Sequence, residues 1–141
     1  MDAIDPRLSW LAGRRCKHVS VDVSGTYFDL DGASVRAGCP WRIVSNGSIA
    51  LGSVDHEQKF GLLVPLDAAL HAQQLLDERP IRGVLLHQDS ADLIVDFGDG
   101  VRLEIWNNSS GYEGWHATGP NGREVIALGG GGLAIFGSDA A

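Results

Sequence analysis

Residues 91–115 read ADLIVDFGDGVRLEIWNNSSGYEGW, and the punctuation of that stretch decides the fold. Leu93, Val95 and Phe97 alternate with Asp92, Ile94 and Asp96. Val101, Leu103 and Ile105 alternate with Arg102, Glu104 and Trp106. A side-chain period of two belongs to strands that turn one face toward a core. Between the runs, Gly98-Asp99-Gly100 supplies the positive φ angles of a tight hairpin. Ile94 and Trp106 fall on the second, less apolar face, which is therefore expected to be covered in part. A polar loop follows, and then a strand that carries Trp115.

Working outward, the same grammar recurs. Residues 17–23 alternate, with Val19, Val21 and Val23 on one face; Ser24-Gly25 turns into a second strand at 26–30. Asp31-Gly32 turns again before 34–37. A strand at 41–44 returns at 48–51 through Ser45-Asn46-Gly47, where Asn-Gly is a strong hairpin signal. Residues 2–15 read as an irregular lead-in tacked down by Trp10 and Leu11, and 52–61 as a polar loop. Pro65 and Asp67 suit the first turn of a helix, which Arg79-Pro80 stops. Leu66, Ala69, Leu70, Gln73 and Leu76 fall on one side of it. Residues 81–87 read as a strand leading into the opening hairpin. After Trp115, residues 119–122 (GPNG) form a turn, and 123–128 and 133–136 are strands around Gly129 to Gly132.

The two halves look alike. In the first, YFDLDG (27–32) precedes Val35, Trp41, Asn46-Gly47 and Gly52. In the second, VDFGDG (95–100) precedes Leu103, Trp115, Asn121-Gly122 and Gly129. The offset is 68 residues at Asp-Gly and 74 at the tryptophans, a drift that an inserted loop at 107–111 would produce. The expected fold is α+β: a single domain over 1–141, mostly antiparallel β, with two repeated β-meander units (16–52 and 81–137). One main helix (64–79) lies between them and packs on the sheet. The strands would form one curved sheet or two facing sheets, the helix covering one face.

Composition bounds the function. The chain of 141 residues, 44% hydrophobic and 21% charged, has the balance of an ordinary globular domain. No apolar run approaches a membrane span. The first seven residues carry acids and a proline rather than a basic-then-apolar signal, so a cytoplasmic location is expected. Cys16 and Cys39 fit no zinc spacing and read as buried, inert thiols. The formal charge is −7, and residues 61–141, with eleven acids and four bases, carry all of it. Such a half repels phosphate backbones and attracts a basic partner. Neither nucleic acid nor membrane is an expected partner.

The first candidate site is the loop 107–114 with the strand after it: Asn107, Asn108, Tyr112, Glu113, Trp115 and His116, read as binding rather than catalytic. If the strand extended back to Tyr112, Glu113 and His116 would point to opposite faces and assemble no acid–base pair. Asp55, His56 and Glu57 look metal-like, but no second histidine stands at ligand spacing, and no metal or cofactor is expected. Gly129 to Gly132 lacks the lysine and hydroxyl of a phosphate loop; a tight turn with positive φ accounts for it better. No Gly-x-Ser-x-Gly nucleophile pattern occurs.

Residues 95–100, GYEGW (111–115) and GPNGREVIALGGGGLAIF (119–136) together resemble a family of small bacterial proteins built on a domain of unknown function. The first half, 19–52, is similar to that family's weaker N-terminal repeat. Such proteins look broadly similar to immunity proteins of bacterial toxin systems. The resemblance implies a non-enzymatic interaction domain, an immunity or inhibitor protein, and carries over no catalytic residue. The competing readings are a small-molecule site or enzyme with a pocket between the two units, and a homodimer joined through strand edges.

Overall fold

The computed structural model describes residues 3–137. Among these residues, eleven short strands and one α-helix make an α+β fold dominated by antiparallel sheet. The first unit supplies β1 (His18–Asp22), β2 (Gly25–Asp29), β3 (Ser34–Ala37), β4 (Trp41–Ser45) and β5 (Ser48–Gly52). After the helix α1 (Ala68–Leu76), the second supplies β6 (Gly83–Leu86), β7 (Leu93–Asp96), β8 (Val101–Ile105), β9 (Trp115–Thr118), β10 (Glu124–Ala127) and β11 (Leu133–Phe136).

The units exchange strands. One sheet runs β1-β2-β3-β9-β10-β11, the other β5-β4-β8-β7-β6. Each unit lays three strands in one sheet and then crosses to the other, so every sheet has a seam where the units meet. The seams have the same register. Val35 stands opposite Ala117, and Ile43 opposite Leu103; Ala37 stands opposite Trp115, and Trp41 opposite Ile105. Shifting β3 by 68 residues and β4 by 74 converts one seam into the other. Two facing sheets are therefore the arrangement, and the repeat is a repeat of pairing as well as of pattern.

The turns that set this register have the backbone that their residues favour. Asp31-Gly32, Asn46-Gly47, Asp99-Gly100 and Asn121-Gly122 all have positive φ at both positions. Inward-facing side chains fill the space between the sheets, among them Phe28, Val35, Trp41, Ile43, Leu103, Trp115 and Val125. The Phe28 and Trp41 rings meet edge to face at 5.4 Å.

The helix differs from its sequence reading in length, face and position. It begins at Ala68 because Asp67 caps it, accepting a hydrogen bond from Leu70 N at 3.1 Å. Pro65 lies outside it, because the Leu66 backbone is instead bonded to Glu57 and Gln58. The buried face is Ala68, Ala72 and Leu76, whereas Leu70 is exposed. Rather than covering a sheet face, α1 packs on β1 and β5, the edge strands on one side of the sandwich. Gln73 Oε1 accepts from Val19 N at 3.2 Å and so satisfies a donor of that edge.

On the opposite side the lead-in is a 3-10 helix, Pro6–Leu11, capped by Asp5. Leu8, Trp10 and Leu11 are buried, and the indole of Trp10 lies over Gly119. Ile4 bridges to Val84 and extends the β6 edge. Val23 sits in the β1–β2 turn and is fully exposed, so it does not share the buried face of Val19. Cys16 and Cys39 are free thiols, each pushed up to about 11 by burial. Among the described residues no helix is long and apolar enough to cross a membrane.

Candidate functional site

The loop 107–114 is pinned rather than free. Asn107, 7% exposed, donates from Nδ2 to Ser90 O at 2.9 Å and to Leu128 O at 3.1 Å, while its backbone N–H donates to Asp92 Oδ1 at 2.9 Å. The glycine run holds the other side: Gly130 N donates to Ser109 O at 2.9 Å. Ser109 Oγ accepts from Gly111 N and Tyr112 N.

The run itself threads between two loops. Gly130 and Gly131 have φ of 88° and 105°, as a tight turn requires. A Cβ on Gly131 would collide with the Asp89 carbonyl, and one on Gly129 with the Gly111 backbone, whereas one on Gly130 would meet only Ser110 O at 3.7 Å. We therefore expect Gly131→Ala to cost about 3 kcal/mol and Gly130→Ala about 1 kcal/mol in denaturant unfolding. Equal losses would show that φ, not close approach, governs the run.

The six candidate residues do not converge. Asn107 and Trp115 are buried fixtures; Trp115 Nε1 donates to Ala91 O at 2.8 Å. Asn108, Tyr112 and Glu113 are exposed, Tyr112 at 83%. The strand begins only at Trp115, so the alternation read back to Tyr112 does not apply there. His116 points outward and meets a partner the sequence reading did not supply: its Nε2 lies 2.7 Å from Glu124 Oε1. The register of the β9–β10 hairpin, Thr118 opposite Glu124 and His116 opposite Ile126, sets that diagonal. The hairpin signal at Asn121-Gly122 could have located it.

Asp55 and His56 have structural work. Asp55 Oδ2 accepts from Gly52 N at 2.8 Å, and His56 Nδ1 accepts from Ala68 N at 3.1 Å, at the start of α1. Among the described residues no three His, Cys, Asp or Glu side chains are placed to hold a metal ion.

Two surface features escaped the sequence reading. The first is an open groove of about 450 Å³ on the outer face of the five-stranded sheet, beside Trp106, Ile94, Asp92, Arg42 and Glu104. Trp106 is 59% exposed while Ile94 is half-buried, so this face is covered only in part. Arg42 and Arg102 grip Glu104 at 2.7 and 2.5 Å. Burial pushes the Glu104 carboxyl up, but the hydrogen bonds from Arg102 and Arg42 outweigh it and hold the group below its ordinary range. The second feature is the hairpin 57–66, closed by Glu57 N to Leu66 O and Leu66 N to Gln58 O, both 2.8 Å. Its tip exposes Phe60, Leu62, Leu63 and Val64. By pattern alone its first part reads as a polar loop and its last part as helix.

Comparison of the chain with protein-family models, with curated proteins and with solved structures gives no match in any of the three.

Proposed function

We propose that the chain is a non-enzymatic interaction domain that binds a basic protein, in the manner of an immunity or inhibitor protein. The observation that carries this reading is the end of the sandwich where loops 87–91 and 107–114 meet the glycine run. Asp89, Tyr112 and Glu113 are exposed there on backbone that Asn107 and the glycines hold fixed. Neither carboxylate belongs to an ion pair among the described residues, and neither do those of Asp77 and Glu78 at the far end of α1. In the same half, Arg79 and Arg102 are tied to Asp99 and Glu104. Unpaired acids on a rigid platform beside an aromatic side chain suit a cationic surface: they steer encounter and need little ordering on contact.

A small-molecule site between the units has less support, because apolar side chains fill the space between the sheets. The groove at Trp106 lies outside that space.

A photocrosslinking phenylalanine analogue at Tyr112, in the intact chain in cells of its source, tests the reading. The expected adduct is a basic protein, with a yield that falls at least tenfold in Asp89→Lys/Glu113→Lys. Purified partner should lose affinity at least tenfold between about 0.05 and 0.5 M salt. An acidic partner, or binding indifferent to salt and to both charge reversals, would sink it.

A further inference from the structure

Residues 57–65 of the hairpin are exposed and have no part in the core; only Leu66, at its base, packs against the core margin. Leu63 is 100% exposed, Phe60 and Val64 are each 68% exposed, and Leu62 is 52% exposed. Val54 (78%) and Leu70 (54%), which flank the hairpin in sequence, are exposed as well. Half of the exposed large hydrophobics of the described chain thus come from 17 consecutive residues, which separates this segment from the scattered apolar residues of an ordinary surface. The hairpin is nonetheless built. Two backbone hydrogen bonds close its base, Leu62 N donates to Lys59 O at 2.7 Å across its tip, and Gln58 N is held by Asp55 O. Phe60 has a φ of 46°, a left-handed backbone that a bulky side chain adopts only under constraint and that no burial repays here. Folding by itself gives no reason to aim four apolar side chains at water.

We propose that this hairpin is a docking finger that inserts Phe60, Leu62, Leu63 and Val64 into an apolar cleft, rimmed by lysine or arginine, on a heterologous protein. The proposal rests on the reading of the chain as a binder of a basic protein and names a second, apolar contact of that complex. The rim chemistry follows from charge. The segment 55–67 holds Asp55, Glu57 and Asp67 against one lysine, Lys59, and one histidine, His56, whose Nε2 lies 3.6 Å from Glu57 Oε1. A second copy of the chain would set these acids against their equivalents, with −7 on each molecule. A bilayer with anionic headgroups would repel them. A cleft with basic margins removes the apolar tip from water and meets the acids with opposite charge.

The photocrosslinker placed at Leu63 of the full chain, in the same cells, tests it, with the Tyr112 position run in parallel. One heterologous protein is expected at Leu63. Phe60→Ser should cut the yield at least tenfold, and so should the triple reversal Asp55→Lys/Glu57→Lys/Asp67→Lys. Thermal melting of each variant verifies that it folds. Because Asp55 and Asp67 also make backbone hydrogen bonds, Glu57→Lys alone, expected to lower the yield severalfold, serves if the triple variant is unstable. A Leu63 adduct with the chain itself overturns the proposal, as does binding of the purified chain to phosphatidylcholine or phosphatidylcholine–phosphatidylglycerol vesicles that Leu63→Asp abolishes. A basic partner at Tyr112 with none at Leu63 removes the finger and leaves the proposed function standing. Adducts at neither position remove both.

Discussion

Replacing Trp115 by alanine is expected to destabilise the domain by about 5 kcal/mol, a third or more of the stability of a typical single domain. Trp115 is 1% exposed and stands at the seam of the six-stranded sheet, opposite Ala37. Its removal opens a cavity between the two units, which for an aromatic side chain costs about 3–5 kcal/mol. It also strips the Ala91 carbonyl of its indole donor, worth a further 1–3 kcal/mol for a buried acceptor, with partial relaxation offsetting some of the sum. Ala91 has a φ of 62°, so that hydrogen bond also secures a residue in an unfavourable backbone region. Trp115→Phe keeps most of the volume and should cost about 2 kcal/mol. The same change at Trp41, whose indole donates to Thr26 Oγ1 at 2.9 Å, should cost a similar amount because the two tryptophans hold corresponding seam positions. Thermal unfolding reads all three. At about 3 °C per kcal/mol for a chain of this size, Trp115→Ala lowers Tm by about 15 °C. A loss under about 5 °C would mean that the seam is not where the units are joined.

The second large effect is electrostatic. Asn107 uses its amide as a donor, toward Ser90 O and Leu128 O; its Oδ1 has no hydrogen-bond partner among the described residues. The two carbonyls settle which way the amide faces. Asn107→Asp puts carboxylate oxygen against both acceptors in a buried position, at an expected cost of about 4 kcal/mol at pH 7. Burial without a donor raises the carboxyl's pKa in the fold above its value in the unfolded chain. Its penalty is therefore absent below the unfolded pKa of about 3.9 and grows as the pH climbs through the folded value. Urea unfolding of Asn107→Asp and wild type at pH 4 and pH 7 checks this, since the difference between the proteins cancels the groups they share. Asn107→Ala should lose about 3 kcal/mol at both pH values. A pH-independent difference for the aspartate variant would show that the loop opens to water there.

The alternation around Leu93–Phe97 and Val101–Ile105 identified strands and their buried face, because strand geometry sends neighbouring side chains to opposite sides whatever the fold. The Asp-Gly and Asn-Gly pairs located the turns, since few other residues accept positive φ at both positions. The repeat was readable as a spacing of turns and tryptophans. The helix N-terminus is readable at Asp67, yet Pro65 and Leu66 read as part of the helix because an apolar run normally seeks a core. For the same reason nothing in FGLLVP announced that those side chains face solvent. In sequence the acid near His116 is Glu113, while its hydrogen-bonding neighbour in space is Glu124, across a hairpin.

By itself, then, the sequence determined the strands, their turns, their inner faces and the two-fold repetition of the pattern. Each of these is a local matter of backbone φ and side-chain period. The tertiary structure alone decided that the units exchange strands across two seams and that α1 closes an edge. It alone pinned the loop after Ile105 with Asn107 and the glycine run, and left the hairpin 57–66 bare. Partner choice between distant strands depends on closing the whole sandwich over one core. Exposure is what remains after that core is full, so neither can be read from any window of the chain.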